Sequence, residues 1–193
     1  MGNSRSKNRI SKEDLLYLAK HTQYDKKQIK QLHKSFWEEN PSGTLSRGKL
    51  MHIFSCINPT IDTRKAADFY EHIFRAFDAD RSGDINFRDY LLTISITSSG
   101  DLQNKLSWTF SMCDIDGNGM IGKKEILHIM RAVSKISRKE GDIDYVTPEE
   151  CTDQIFSKMD LDDTGDLTKE EFINGCLKDE FLCRMLKADV MGP

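Results

Sequence analysis

The sequence predicts an all-α protein of four helix–loop–helix units that pair into two lobes, with a short two-stranded contact between the loops of each pair. Three observations predict it: a twelve-residue acidic segment recurs, each copy follows apolar residues at helical spacing, and each is followed at once by another apolar residue. With 193 residues, the chain is long enough for two lobes with separate cores.

The acidic segments are DADRSGDINFRD at 78–89, DIDGNGMIGKKE at 114–125 and DLDDTGDLTKEE at 160–171. Each has acids at positions 1, 3 and 12, an oxygen-bearing side chain at 5, glycine at 6 and isoleucine or leucine at 8. Ca²⁺ takes about six to eight oxygen ligands, which a short loop supplies from positions 1, 3, 5, 7 and 12. Glycine at 6 permits the sharp turn. The pattern is that of the EF-hand, and three copies exclude chance acidic turns.

Helices are predicted on both sides of each loop. The apolar residues before the loops are Tyr70, Ile73, Phe74 and Phe77, then Leu106 and Phe110, then Ile155, Phe156 and Met159. Their offsets place each set on one helix face. Tyr90, Ile126 and Phe172 follow the loops directly.

The candidate metal ligands follow from loop position. They are Asp78, Asp80, Ser82, Asp84 and Asp89 in the second loop; Asp114, Asp116, Asn118, Met120 and Glu125 in the third; and Asp160, Asp162, Thr164, Asp166 and Glu171 in the fourth, with Asp84, Met120 and Asp166 offering backbone carbonyls. We expect the third and fourth loops to bind Ca²⁺ with dissociation constants of about 10⁻⁷–10⁻⁵ M. The chain as a whole is expected to bind two to three Ca²⁺ ions.

The second loop is closed by Asp89, which is one methylene shorter than the usual glutamate. Two interpretations stay open. The loop closes more tightly and still takes Ca²⁺, or six ligands at shorter distance make it a weakened site that prefers Mg²⁺.

A degenerate fourth copy precedes the others in EENPSGTLSRGKL. Gly43 and Leu45 fit positions 6 and 8, but Lys49 stands at position 12, where a cation would repel the metal. Pro41 also stiffens the loop. We expect no metal here and expect the loop to remain as the structural partner of the second loop.

The polar stretch around 97–100 is the predicted linker between the lobes. It divides the chain into an N-lobe at 1–97, a linker at 98–100 and a C-lobe at 101–193 that ends in a C-terminal helix. A polar loop at about 137–146 precedes Thr147, Pro148 and Glu150. These residues are predicted to start a helix as N-cap, N1 and N3.

The chain starts Met1-Gly2-Asn3-Ser4-Arg5-Ser6, which matches the N-myristoylation pattern at Gly2. One myristoyl chain gives only marginal membrane binding, so a second signal is needed. Arg5, Lys7 and Arg9 supply a basic cluster that favours anionic lipid. The chain is expected to be cytoplasmic and reversibly membrane-associated.

Composition excludes several function classes. The net charge of -3 argues against a nucleic-acid binder that works by bulk charge. No apolar run is long enough to span a bilayer, and no secretory segment opens the chain. The five cysteines include no paired motif and are expected to be reduced thiols. With no nucleophile–base pair and no phosphate loop, the chain is not expected to be an enzyme.

Together these motifs resemble the neuronal calcium sensor family over essentially the whole chain. The resemblance rests on the MGNS start, the PSG first loop, FDADRSGDINFRDY, SITSSG followed by KLSWTFSMCDIDGNG, and TPEE. It implies two compact lobes, a first EF-hand without Ca²⁺, N-myristoylation, and an N-lobe groove that Ca²⁺ exposes to membranes and to an amphipathic target helix. The residues implied to line that groove are Leu32, Phe36, Phe54, Phe69, Phe74, Phe77 and Tyr90. The chain departs from the family at Asn40, where cysteine is usual, and at Asp89.

The function predicted first is a myristoylated Ca²⁺ sensor that changes conformation and regulates a membrane-linked target. A constitutive calcium-binding regulatory subunit of an enzyme is one alternative, and a Ca²⁺ buffer is another. Buffers barely open on binding, so Ca²⁺-dependent exposure of apolar surface distinguishes them from sensors.

Overall fold

The structure is a computed structural model that describes residues 9–57, 64–78, 80–98, 101–137 and 146–179. The elements in these ranges are α1 (Lys12–His21), α2 (Lys26–Glu39), β1 (Thr44–Leu45), α3 (Arg47–Ile57), α4 (Ala67–Phe77), β2 (Ile85–Asn86), α5 (Phe87–Ser98), α6 (Leu102–Cys113), β3 (Met120–Gly122), α7 (Lys123–Ser137), α8 (Pro148–Met159), β4 (Asp166–Thr168) and α9 (Lys169–Lys178). The predicted all-α fold with short loop pairings is confirmed. Among the helices of the described ranges, none combines the length and the hydropathy that a membrane span requires.

Helix α8 begins as the sequence predicts. The Thr147 hydroxyl oxygen accepts from the Glu150 amide at 3.2 Å, and the Glu150 carboxylate accepts from the Thr147 amide at 2.9 Å. Pro148 occupies the first helical position, where its missing N–H costs nothing. These bonds satisfy donors that a helix start otherwise leaves without partners.

The loops pair through their eighth positions. Strands β1 and β2 are antiparallel with Leu45 opposite Ile85, and β3 and β4 are antiparallel with Ile121 opposite Leu167. All four side chains are buried. The degenerate first loop is therefore the partner of the second, as predicted, because its Leu45 supplies half of a buried apolar pair.

The two lobes pack directly on each other. Helix α4 of the N-lobe contacts α6 and α7 of the C-lobe. The rings of Phe77 and Trp108 meet edge to face at 6.2 Å, and those of His72 and His128 at 5.1 Å. The second and third loops consequently lie near the junction of the lobes.

The predicted linker at 98–100 lies between two helices of the structure. Helix α5 continues through Ser98, and the Asp101 side chain caps α6 by accepting from the amides of Gln103 and Asn104. Residues 99 and 100 lie outside the described residues. So do Gly2, the basic residues Arg5 and Lys7, most of the loop at 137–146, and the predicted C-terminal helix after residue 179.

Candidate metal centres

The three acidic loops share one backbone form. Position 6 is a left-handed glycine in each, with φ of +90° at Gly83, +86° at Gly119 and +83° at Gly165. Position 4 is left-handed as well, with φ of +56° at Arg81, +73° at Gly117 and +57° at Asp163. Two left-handed residues so close together turn the chain sharply within each loop.

In the third loop the acids converge. Carboxylate oxygens of Asp114, Asp116 and Glu125 lie within 4.8 Å of one another. Asp114 Oδ1 accepts from the Gly117 amide at 2.7 Å, and its Oδ2 accepts from the Gly119 amide at 3.0 Å. Backbone donors therefore orient the first carboxylate toward the centre of the loop.

Glu125 closes the third loop from the first turn of α7. Its Oε1 accepts from the Ile115 amide at 2.7 Å and from the Asp116 amide at 3.1 Å, and its Oε2 accepts from the Gly122 amide at 2.8 Å. One carboxylate thus joins the start of the loop, its ninth position and the exiting helix.

The fourth loop repeats this arrangement. Carboxylate oxygens of Asp160, Asp162 and Glu171 also lie within 4.8 Å of one another. The Thr164 hydroxyl donates to Asp162 Oδ1 at 2.9 Å and lies 3.0 Å from the Asp166 carbonyl. The side chain of position 5 and the carbonyl of position 7 therefore stand beside the carboxylates.

Glu171 has a second role in this loop. Its Oε2 accepts from the Thr168 amide at 2.9 Å and from the Thr168 hydroxyl at 2.7 Å, which forms a capping box at the start of α9. The same carboxyl group therefore belongs both to the acidic cluster and to the helix cap.

The second loop is built differently at its closing position. Asp78 is buried and accepts from the amides of Ser82 and Gly83, both at 2.9 Å. Asp89 Oδ2, however, is buried without a hydrogen-bond partner in the part of the chain that the structure describes. Burial, with smaller contributions from Asp80 and Asp78, raises the pKa of Asp89 to about 6.

The acids of the second loop also fail to gather in the way the others do. The described residues contain groups of three acids with oxygens within 4.8 Å only in the third and fourth loops. The Asn86 side chain accepts from the Arg88 and Asp89 amides at 2.8 and 3.1 Å, and a hydrogen bond from the Asn86 backbone amide partly offsets the rise in the pKa of Asp89. We infer that the shorter side chain at position 12 is the cause of the difference.

The first loop has structural bonds where the others have carboxylates. Asn40 is buried and its Nδ2 donates to the Phe36 carbonyl at 2.8 Å. The Lys49 ammonium donates to the Glu39 carbonyl. A lysine held at the start of the loop opposes a divalent cation, in keeping with the expectation that this loop binds none.

The seven groove residues belong to the core in this structure. Phe36, Phe54, Phe69, Phe74 and Phe77 are buried, and Leu32 and Tyr90 are half-buried. Phe36 contacts Tyr90 and Phe87 with ring centroids 5.3 and 5.5 Å apart. The aromatic side chains of this set are thus packed against one another in the core.

Sequence reasoning missed the polar contacts that join the second helix–loop–helix unit to the third. Arg81 reaches the backbone of residues 116 and 117, and Arg75 Nη2 donates to the Met112 carbonyl at 2.6 Å. Neither residue is at a ligand position, so the repeat pattern carries no sign of them. The only available signal was glycine at position 4 of the third loop, where the other loops have a side chain.

Comparisons with known proteins agree with this geometry. Two family models, each described as an EF-hand domain pair, match residues 41–91 and 103–177. S-modulin of Aquarana catesbeiana is 36% identical over 97% of this chain and 93% of its own length. Human recoverin is 32% identical over 97% of this chain and 94% of its own, and guanylyl cyclase-activating protein 2 of Lithobates pipiens is 38% identical over 86% and 85%. The chain therefore belongs to the neuronal calcium sensor family of EF-hand proteins.

Proposed function

We propose that this chain is a myristoylated calcium sensor that binds Ca²⁺ in its acidic loops, changes the angle between the flanking helices and regulates a membrane-linked target. The observation that carries the proposal is the pair of acidic clusters in the third and fourth loops, set side by side by the β3–β4 contact. Each cluster brings three carboxylates together. Like charges so close disfavour one another, and a divalent cation offsets that cost.

The third loop would hold the ion with Asp114, Asp116, Asn118, the Met120 carbonyl and Glu125. The fourth would hold it with Asp160, Asp162, Thr164, the Asp166 carbonyl and Glu171. Hard oxygen donors without sulfur or imidazole suit Ca²⁺ rather than a transition metal. The acidic clusters support two ions of sensor-range affinity.

The second loop would hold a third, weaker ion with Asp78, Asp80, Ser82, the Asp84 carbonyl and Asp89. The buried, unpartnered oxygen of Asp89 supports metal binding here, since a cation would supply the missing partner. Its short side chain and raised pKa support lower Ca²⁺ affinity than in the other loops. Mg²⁺, which takes closer ligands, remains the competing occupant.

Ion binding would act on the helices because the first ligand of each loop follows one helix directly and the last ligand lies in the first turn of the next. Helix α6 ends at Cys113, next to the first ligand of the third loop, and α7 carries the last ligand, Glu125, in its first turn. In the fourth loop α8 ends at Met159, and α9 carries Glu171. An ion that draws the two ends together changes the angle between the helices. In sensor EF-hands such a change exposes an apolar groove, for which the aromatic cluster around Phe36 and Tyr90 is the candidate.

Membrane association would come from an acyl chain on Gly2, aided by Arg5, Lys7 and Arg9. Since one myristoyl group binds only marginally, a modest conformational change can decide between the bound and free states. Several relatives are named for guanylyl cyclase, as activating or inhibitory proteins. A membrane guanylyl cyclase is therefore the first target class to assay.

Liposome sedimentation tests the switch. The acylated chain is mixed with vesicles of phosphatidylcholine and phosphatidylserine, with Ca²⁺ or with a chelator, and Gly2→Ala is the matched variant that cannot be acylated. We expect the acylated chain to sediment with Ca²⁺ and to stay in solution with the chelator, while the Gly2→Ala chain stays in solution in both. Equal sedimentation of the acylated chain in both conditions would mean a static anchor.

A further inference from the structure

Arg81 joins two loops that belong to different lobes. Its Nη1 donates to the Asp116 carbonyl at 3.1 Å. Its guanidinium also lies against Gly117, because a Cβ built there would stand 1.7 Å from Arg81 Nη2 and 2.6 Å from Cζ. Only glycine leaves room for this contact.

The contact joins equivalent positions of the two loops. Arg81 and Gly117 both occupy position 4 and are both left-handed. Arg81 stands between the candidate ligands Asp80 and Ser82, and its acceptor Asp116 is itself a candidate ligand of the third loop. The bond therefore connects the ligand-bearing backbone of one loop to that of the other.

The charges at this contact favour it when the third loop is empty and oppose it when an ion is bound. The third loop gathers three carboxylates, from Asp114, Asp116 and Glu125, and the Arg81 guanidinium places a permanent positive charge against the backbone of residues 116 and 117 in the same loop. In the absence of an ion, the guanidinium is attracted to this acidic cluster. With an ion in the loop, the two cations repel each other across a short distance.

We propose that Arg81 is an affinity-determining residue for the third loop, although it lies in the second: it lowers the affinity of the third loop for Ca²⁺, and Ca²⁺ in turn weakens the Arg81 contact between the lobes. The inference rests on the proposed function, because it requires Ca²⁺ in the third loop. The two effects are equal by thermodynamic linkage, since each is one side of the same coupling free energy.

The lobes keep other contacts when Arg81 is changed. Arg75 Nη2 donates to the Met112 carbonyl at 2.6 Å, Lys135 Nζ pairs with Asp68 at 2.5 Å, and Phe77 packs against Trp108. Arg81 itself is exposed. The Arg81→Gln chain should therefore fold with the lobes in place.

The experiment is a calorimetric Ca²⁺ titration in an Asp89→Asn, Glu171→Gln background, in which the third loop alone keeps its full ligand set. Arg81→Gln is compared with two control variants. Arg81→Lys keeps the positive charge. Arg88→Gln removes one positive charge from the same loop, at a residue that pairs with Asp14. We expect Arg81→Gln to raise the affinity about threefold to tenfold at low salt, and the gain to shrink at high salt because screening weakens the repulsion. Arg81→Lys and Arg88→Gln should stay within about twofold of the parent.

A second measurement, of stability with and without Ca²⁺, tests the same coupling from the side of the contact between the lobes. In urea unfolding, the Arg81→Gln chain should have a lower midpoint than the parent in chelator. In Ca²⁺ the difference between the two midpoints should be smaller, since the contact is weaker when the ion is bound. An unchanged or lowered Ca²⁺ affinity in Arg81→Gln, or an equal gain in Arg88→Gln, would overturn the inference. If the parent background binds no Ca²⁺ at all, the proposed function fails instead.

Discussion

At the scale of single residues, the closing position of each loop decides how its carboxylates are held. Glu125 and Glu171 reach back to backbone amides of their own loops and join clusters of three acids. Asp89 is one methylene shorter, and its Oδ2 has no hydrogen-bond partner in the described part of the chain. Its neighbours Asp80 and Asp78 add to the effect of burial and hold its pKa at about 6. The second loop therefore has acids at the same positions, but their carboxylates are not drawn together as those of the third and fourth loops are.

Replacing Asp89 with glutamate should raise the Ca²⁺ affinity of the second loop. The longer side chain can reach the loop centre and offer both oxygens, and we expect a gain of about tenfold, or ~1.4 kcal/mol. The measurement is a Ca²⁺ titration in a Glu125→Gln, Glu171→Gln background. Asp84→Glu adds the same methylene at an exposed position that offers only its carbonyl, and should leave the affinity unchanged. If Asp89→Glu gives no gain, side-chain length is not what limits this site.

Loop position was enough to name the candidate ligands from the sequence, because the spacing of an EF-hand is local. It was not enough to find Arg81, whose partners lie more than thirty residues away in the chain. Such contacts depend on tertiary packing, which one sequence does not display as a pattern.

At the scale of elements, α4 and α7 meet through a small group of ionisable side chains. Lys135 pairs with Asp68 at 2.5 Å. His72 is buried, and neither ring nitrogen has a hydrogen-bond partner among the described residues. Burial, followed by the nearby charges of Arg75 and His128, lowers the pKa of His72 to about 4. The charged groups that act on this imidazole are therefore Asp68 and Arg75 on α4 and His128 on α7, and Lys135 on α7 is paired with Asp68.

This interface should make the chain less stable in mild acid. The pKa of His72 is lower in the folded state than its ordinary value of 6.5, so protonation favours the unfolded state. Its contribution to stability is present above about pH 6.5 and is lost as pH falls toward about 4. Urea unfolding in chelator from pH 7 to 4.5 should show the loss, and His72→Phe should reduce it. His52→Phe, at an exposed histidine of α3, should follow the parent; a His72→Phe chain that is equally acid-sensitive would contradict the assignment.

The pairing of the loops could be predicted from the sequence, whereas the interface of α4 and α7 could not. Leu45 and Ile85, like Ile121 and Leu167, stand at position 8 of their loops, and a repeated apolar residue at that position predicts a strand contact. The Thr147 cap was equally visible because its partners are three residues apart. His72, in contrast, lies on an apolar helix face where a buried and a solvated histidine look the same in sequence.

At the scale of the whole molecule, the two lobes form one packed unit through α4, α6 and α7. The division of the chain into an N-lobe and a C-lobe at residues 98–100 remains a prediction. The contacts across it mean that helix motions started by an ion in the third loop would reach the N-lobe. We propose the aromatic cluster of the N-lobe, which is packed in the core in this structure, as the surface that those motions would open.

The measurement that tests the central claim most directly is calorimetric Ca²⁺ titration of the purified chain beside Glu125→Gln and Glu171→Gln. Each substitution removes one charge and one ligand oxygen from a single acidic cluster. We predict two to three ions bound at micromolar concentrations or below by the parent, and one high-affinity site fewer in each variant. A parent that binds no Ca²⁺ in this range, or variants with unchanged stoichiometry, would contradict the account.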